Sequence, residues 1–181
     1  MDDYMLGVAE KKGRKVSLKR ATRLAKEICR ALRSVVEFSM IVGSIRRKRP
    51  KVADMELVVL PGNLGEFLTF VGELGFHGGE RIQRGKIDGV KVELYVAHHP
   101  DELGSMIFMY TGDAVFEIAM RSIAKRRGLK LDQYGIWAGP EFEELYFQSP
   151  YEEDFFEFLG VAYHTPEERS FKDRPKGYKR K

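Results

Sequence analysis

The 181 residues are 43% hydrophobic and 32% charged, enough apolar material for one sizeable core or two modest ones and too much for a disordered chain. No apolar run approaches the roughly 20 residues that cross a bilayer, the start MDDYMLG lacks the positive-then-apolar order of a secretory leader, and a lone Cys29 excludes an internal disulfide framework and fits a reducing compartment. The net charge of +4 is uneven: residues 11–33 hold ten Lys/Arg against one Glu, residues 46–51 five with no acid, residues 171–181 six against one Asp, and residues 141–157 seven acids with no base. Clustered positive charge with an acidic counterweight suits a polyanionic partner, and equally suits a set of solvated helix faces.

Residues 1–16 are polar and basic without periodicity and read as a flexible arm. Residues 17–38 predict a helix, because Leu18, Ala21, Leu24, Ile28, Leu32 and Val35 recur at helical spacing, with Lys19, Arg20, Arg23, Lys26, Arg30 and Arg33 on the other face. SMIVGS reads as a short buried strand running into a turn, and DMELVVL as a second strand ended by Pro61-Gly62. Asn63, with Glu66 three residues on, caps a helix whose stripe is Leu64, Phe67, Leu68, Val71 and Leu74. A polar strand over 80–86 turns through Asp88-Gly89 into VKVELYV, a hairpin. Asp101 is placed to cap a helix through Phe108, and Thr111-Gly112-Asp113 interrupts the pattern before a further helix closed by Gly128. A hairpin over LKLDQYGIW follows, then a last apolar helix, DFFEFLG, started by Ser149-Pro150. A boundary falls at 109–113, between a mixed sheet and a mostly helical small module, and residues from Ser170 onward form a mobile tail.

Period-two alternation puts Met55, Leu57 and Val59 on one face of the DMELVVL strand and Asp54 and Glu56 on the other. VKVELYV likewise turns Val90, Val92, Leu94 and Val96 inward and Lys91, Glu93 and Tyr95 outward. If both strands join one sheet with its apolar face covered, Asp54, Glu56 and Glu93 share the open face. Carboxylates so crowded repel unless cations neutralise them, and hard oxygen ligands on a partly open surface suit Mg²⁺. Two such ions about 4 Å apart can activate an attacking hydroxyl and stabilise a leaving oxygen. Alone, an acid-x-acid strand also describes an ordinary solvent-facing strand. The preceding element adds to it: Gly43-Ser44 offers backbone N–H groups and a hydroxyl to phosphate oxygens, and Arg46 and Arg47 offer planar forks.

GSIRRKRPKVADMELVV resembles the signature of the nucleotidyltransferase superfamily, specifically of X-family DNA polymerases: Gly-Ser-x-Arg-Arg, then two acids one residue apart on the next strand, then a third acid on a later strand. MYTGDAVFEIAMRSIAKRRGLKLDQYGIW is similar to that family's Phe-Thr-Gly turn, following helix and hairpin, and SPYEEDFFEFLGVAYHTPEERS to its last helix and closing Pro-x-x-Arg segment; the likeness runs in order over about residues 15–170. It implies an α+β fold, with a nucleotidyltransferase palm (a mixed sheet with helices on one face) over residues 1–108 and a small, mostly helical thumb with a β-hairpin over 109–181, the last eleven residues forming a basic tail. It implies a metal-dependent DNA-directed DNA polymerase that fills short gaps in repair, taking dNTP and gapped or primer-template DNA. Asp54 and Glu56 would hold both of two Mg²⁺ ions, or Mn²⁺ in their place, and Glu93 the catalytic one. Gly43, Ser44 and Arg47 would hold the triphosphate, Tyr110 and Gly112 the sugar, Lys91 the primer-terminal phosphate, and Arg121 the templating strand. A monomer without membrane attachment is expected, cytoplasmic or in a virion or host cytoplasm.

The chain departs from the pattern. Glu replaces Asp at the second and third acidic positions, Met109 stands where many members have Tyr, and Glu117 where some place Asn. A lyase domain is not recognisable, as in minimal viral members, and the segment before Val90 is too short for the loop tied to template-free synthesis. Other readings stay open: a nucleotidyltransferase acting on RNA ends or without template, or a catalytically dead DNA-binding module. His98-His99, adjacent on a strand, point opposite ways and read as structural or exposed. Cys29 and Trp137 read as packing, and the basic first helix either as a solvated face or as one meeting DNA phosphates.

Overall fold

The computed structural model describes residues 15–169; the arm before residue 15 and the tail from Ser170 lie outside the described residues. The first elements are β1 (Val16–Ser17), α1 (Leu18–Leu32), β2 (Val36–Ile41), α2 (Gly43–Arg46), β3 (Lys51–Val52) and β4 (Asp54–Pro61). The helix expected over 17–38 is therefore shorter. Ser17 caps it, accepting from Arg20 N, and it ends at Leu32 because Val36 and Phe38 instead pair with Pro61 and Leu60 of β4. These β-branched and aromatic residues gain more on a half-buried sheet than in another helical turn. Val16 also leaves the arm, pairing with Val52.

Next come α3 (Leu64–Glu73), β5 (His77–Gly79), β6 (Ile82–Ile87) and β7 (Val90–Val96). Asn63 caps α3 by accepting from Glu66 N, as its spacing predicts. Asp88 and Gly89, at φ +51° and +76°, form the tight β6–β7 turn that needs two left-handed residues. β5 is an addition to the expected elements: His77-Gly78-Gly79 carries no alternation to announce it and pairs with Ile82–Arg84, where Gln83 Nε2 also donates to Gly79 O. The five-stranded sheet runs β2-β4-β7-β6-β5, antiparallel except for the parallel central pair β4–β7.

One sheet face is sealed by α1 and α3: Leu24, Ile28, Phe67 and Val71 pack with Met55, Leu57, Val92 and Leu94. The opposite face is covered along the end bearing Val58, Leu60 and Tyr95 by α4 (Leu103–Thr111). Pro100–Glu102 forms a 3₁₀ turn, so Asp101 does not cap α4 as expected. The Glu102 carboxylate turns instead to Arg81 and His98 N, and the helix runs on to Thr111. Buried nearly all round, α4 gives Met106 and Ile107 to the sheet and Phe108 and Met109 to a second cluster. That cluster is built on α5 (Ala114–Arg126), β8 (Lys130–Asp132), β9 (Gly135–Ala138), β10 (Glu144–Phe147) and α6 (Glu153–Phe158). Asp113 caps α5 through Val115 N and Phe116 N. The hairpin read from LKLDQYGIW gains β10 as a third strand, order β10-β9-β8. The fold is α+β, a mixed five-stranded sheet with helices.

Candidate active site

The parallel register of β4 and β7 sets Asp54 beside Lys91, Met55 beside Val92 and Glu56 beside Glu93. With Met55 and Val92 buried in the α1–α3 core, alternation puts Asp54, Glu56 and Glu93 together on the other face. They occupy the half of that face that α4 leaves uncovered. Tyr95, two residues beyond Glu93 on the same face, bridges two of the three: its hydroxyl lies 2.6 Å from Glu93 Oε2 and 3.1 Å from Glu56 Oε1. Glu93 Oε1 takes a hydrogen bond from Arg84 Nε on β6, at 2.9 Å.

Burial, then the Asp54 charge, pushes the Glu56 carboxyl up to about 7; Tyr95 and Arg47 pull it back, and Glu93 adds to the rise. Three acids on one open face, with Glu56 pushed toward its neutral form by burial and by Asp54, repel one another, and a divalent cation would relieve that repulsion. Among the described residues, no three His, Cys, Asp or Glu side chains form a ready-made metal-ion site. The donor set nonetheless fits a hard divalent ion in chemistry: carboxylate oxygens, clustered, with a competing Tyr95 hydroxyl and Arg84 rather than an apolar lining.

The turn after β2 closes directly on this cluster. Val42 N donates to Glu56 O, fixing Gly43 over the strand. Gly43 sits at φ +61°, and a Cβ there would lie 1.7 Å from Glu56 Oε2, so both backbone and space demand glycine. The carboxylates and the Gly43-Ser44 turn are thus one site. Ser44 Oγ and Arg47 Nε are buried and have no hydrogen-bond partner among the described residues. Unused buried donors of this kind are rare and mark a place for an acceptor such as a phosphate oxygen. Burial lowers the Arg47 pKa, with Glu56 and Asp113 opposing, as expected of a guanidinium short of counter-charge.

The two arginines diverge. Arg47 Nη1 donates to Thr111 O at 2.6 Å and Gly112 O at 2.8 Å, tying the glycine-serine turn to the end of α4. Arg46, read from sequence as a second phosphate fork, instead reaches Thr111 Oγ1 and the buried Glu152. Glu152 also accepts from Arg169 Nη1 at 2.8 Å. Gly112 packs on Phe116, whose ring a Cβ would meet at 2.6 Å. Tyr110 stacks flat on Tyr95, with ring centroids 3.6 Å apart and planes within 3°, so it reaches the carboxylates through another ring. Arg121 stands apart, half-exposed on α5, its partner Glu117 at 3.8 Å. Burial pushes the Glu117 carboxyl up to about 7, with Arg121 and Arg47 lowering it and Asp113 raising it.

The sequence reading missed Tyr95, Arg84 and Glu152. Tyr95 carried a signal, the same strand parity as Glu93. Arg84 carried one as well, since the two-residue Asp88-Gly89 turn sets it opposite Glu93, whereas Glu152 carried none, its partners Arg46 and Arg169 being distant in sequence.

Residues 106–170 match the DNA polymerase beta thumb family. The match covers that segment of the chain. The chain is similar to human DNA-directed DNA/RNA polymerase mu, at 34% identity over 82 residues, 45% of this chain and 16% of that protein. The chain thus spans a small part of that relative's length. Its fold is similar to that of Leishmania infantum polymerase beta, solved as a ternary P/T complex, with a TM-score of 0.73, 18% identity, and coverage of 88% of this chain and 78% of that one. At that identity the likeness is one of fold.

Proposed function

We propose that this protein is a templated, metal-dependent DNA polymerase of the X family that fills short gaps. One observation carries the reading: Glu56 Oε2 lies against Gly43, so the acidic cluster and a turn with unused phosphate donors form a single site. In the reaction, a primer 3′-hydroxyl oxygen forms a bond to the α-phosphorus of a dNTP, the bond to the α–β bridging oxygen breaks, and pyrophosphate leaves. Asp54, Glu56 and Glu93 would hold two Mg²⁺ ions, which supply a lowered pKa for the attacking hydroxyl and charge neutralisation at the phosphates.

The chain's own residues supply position and charge. Ser44 Oγ and the backbone at Gly43 would meet phosphate oxygens, and the missing Cβ at Gly43 leaves room for Glu56 Oε2 beside them. Arg47 Nε adds a positive donor, while its Nη1 stays on Thr111 and Gly112 and keeps the guanidinium aimed. Tyr95 and Arg84 set the direction of the Glu93 carboxylate and Tyr95 also that of Glu56, and Lys91, beside Asp54 on β7, would meet the primer-terminal phosphate. Tyr110 and Gly112 would border the sugar and Arg121 the template. Little covalent work falls to the protein, so catalysis is positioning and electrostatic stabilisation. A palm over residues 1–108 and a thumb over 109–181 would place these two sets of contacts on separate units.

The test is extension across a one-nucleotide gap in duplex DNA, with dNTP or rNTP and with Mg²⁺ or Mn²⁺, comparing wild type with Asp54→Asn. Incorporation that falls by about 10³-fold or more in the variant supports the assignment. Equal incorporation in both would refute it.

A further inference from the structure

We propose that the outer face of α1 is a second nucleic-acid surface, gripping the phosphate backbone of duplex DNA on the side of the sheet away from the carboxylates. The choice of DNA rests on the polymerase reading; the surface itself does not. Lys19, Arg23, Lys26, Arg30 and Arg33 recur at three- and four-residue steps, and all are exposed. They form one continuous ridge about 21 Å long at 1.5 Å per residue. Glu27 is the one acid on the helix, and it is shared with Arg23 at 2.9 Å.

This ridge works against the helix that carries it. Neighbouring like charges at these spacings repel along the helix surface. The first turn holds Lys19 and Arg20 and no acid, at the end where the helix dipole favours negative charge. Packing supplies no reason for the pattern either, because Ala21, Leu24, Ala25, Ile28 and Leu32 already seal the core from the other side. A face kept cationic against local stability suits a polyanion that neutralises it.

The same packing decides between polyanions. A membrane-surface helix dips its apolar face into the lipid boundary, and here that face is buried under the sheet. What remains for a partner is a rigid line of charge, three of its five cations arginine, suited to successive backbone phosphates. Since α1 packs on the face carrying Met55 and Leu57, and Asp54 and Glu56 face the other way, one stretch of DNA cannot lie straight across both. The ridge therefore holds a flanking arm of the duplex or a second segment.

The experiment follows anisotropy of a labelled, hairpin-closed duplex with no gap and no free 3′-hydroxyl, over a salt series. Wild type is compared with a variant carrying Lys19→Gln, Arg23→Gln, Lys26→Gln and Arg30→Gln. If each cation neutralises one phosphate, the slope of log affinity against log salt falls by about 3–4 in the variant, worth about 100-fold between 50 and 200 mM salt. An unchanged slope and affinity would overturn the proposal. So would loss of binding to phosphatidylserine vesicles with duplex binding untouched. If the fourfold variant fails to melt cooperatively, Arg23→Lys with Arg30→Lys, which keeps the charge, must retain the wild-type slope, and each single Gln variant must lower it by about 1; a flat single-variant series overturns the idea. Asp54→Asn should leave this binding intact, whereas wild-type protein that fills no gap yet keeps its salt slope would reject the polymerase reading alone.

Discussion

Replacing Glu152 with Gln should cost the folded protein about 3 kcal/mol, the lower end of the 3–5 kcal/mol for breaking a buried charge cluster. The Glu152 side chain is 3% exposed and binds both Arg46, 20% exposed, and Arg169, 0% exposed. Without the carboxylate, Arg46 can turn to water, but Arg169 cannot. Its guanidinium keeps a hydrogen bond to His164 O and lies 4.9 Å from the Phe156 ring centroid, and these contacts keep the loss from the top of the range. Urea unfolding followed by Trp137 fluorescence reads the effect. With a slope of about 2 kcal/mol per molar, the midpoint should drop by about 1.5 M. Glu152→Leu combined with Arg169→Met should recover much of that, since no charge is then left stranded. A Glu152→Gln midpoint within about 0.25 M of wild type would refute the reasoning.

The same group sets an acid limit. Burial raises the Glu152 pKa, but the bonds from Arg46 and Arg169 together outweigh it and leave it lowered. The folded state then binds fewer protons than the unfolded chain, so stability is full above the ordinary carboxylate range and falls as pH drops below about 4.5 through the folded value; in melts across this window Glu152→Gln should show a shallower loss. Gly43→Ala forces a Cβ onto Glu56 Oε2 at a positive φ, and should lower stability by about 1–3 kcal/mol and abolish gap filling, read by thermal melt and extension assay. Tyr95→Phe keeps the stack on Tyr110 but removes the bridge between Glu56 and Glu93; terbium affinity, followed by luminescence sensitised through Tyr110, should weaken about tenfold, in the range for a lost ligand-orienting contact.

Much of this was readable residue by residue. The capping of α3 by Asn63, the Asp88-Gly89 turn and the parity of Asp54, Glu56 and Glu93 follow from local rules of dihedral angle and alternation, and these hold wherever the segment ends up. Errors gathered where a local pattern was outbid. Val36 continues the helical stripe of α1, yet β4 offers it a place in the sheet, and Asp101 looks like a cap until the Glu102 carboxylate finds Arg81.

Period and turn chemistry, then, belong to the chain itself: which residues can face one way, and that a mixed sheet with helices would bury them. Tertiary structure alone decided which facing residues meet. The β4–β7 register brings Glu56 to Glu93, Tyr95 joins them, and two adjacent arginines part, Arg47 to the turn at Gly112 and Arg46 to Glu152. Spacing along a chain constrains direction over a few residues, whereas contact between distant side chains depends on how whole elements pack, and packing is a property of the assembled core.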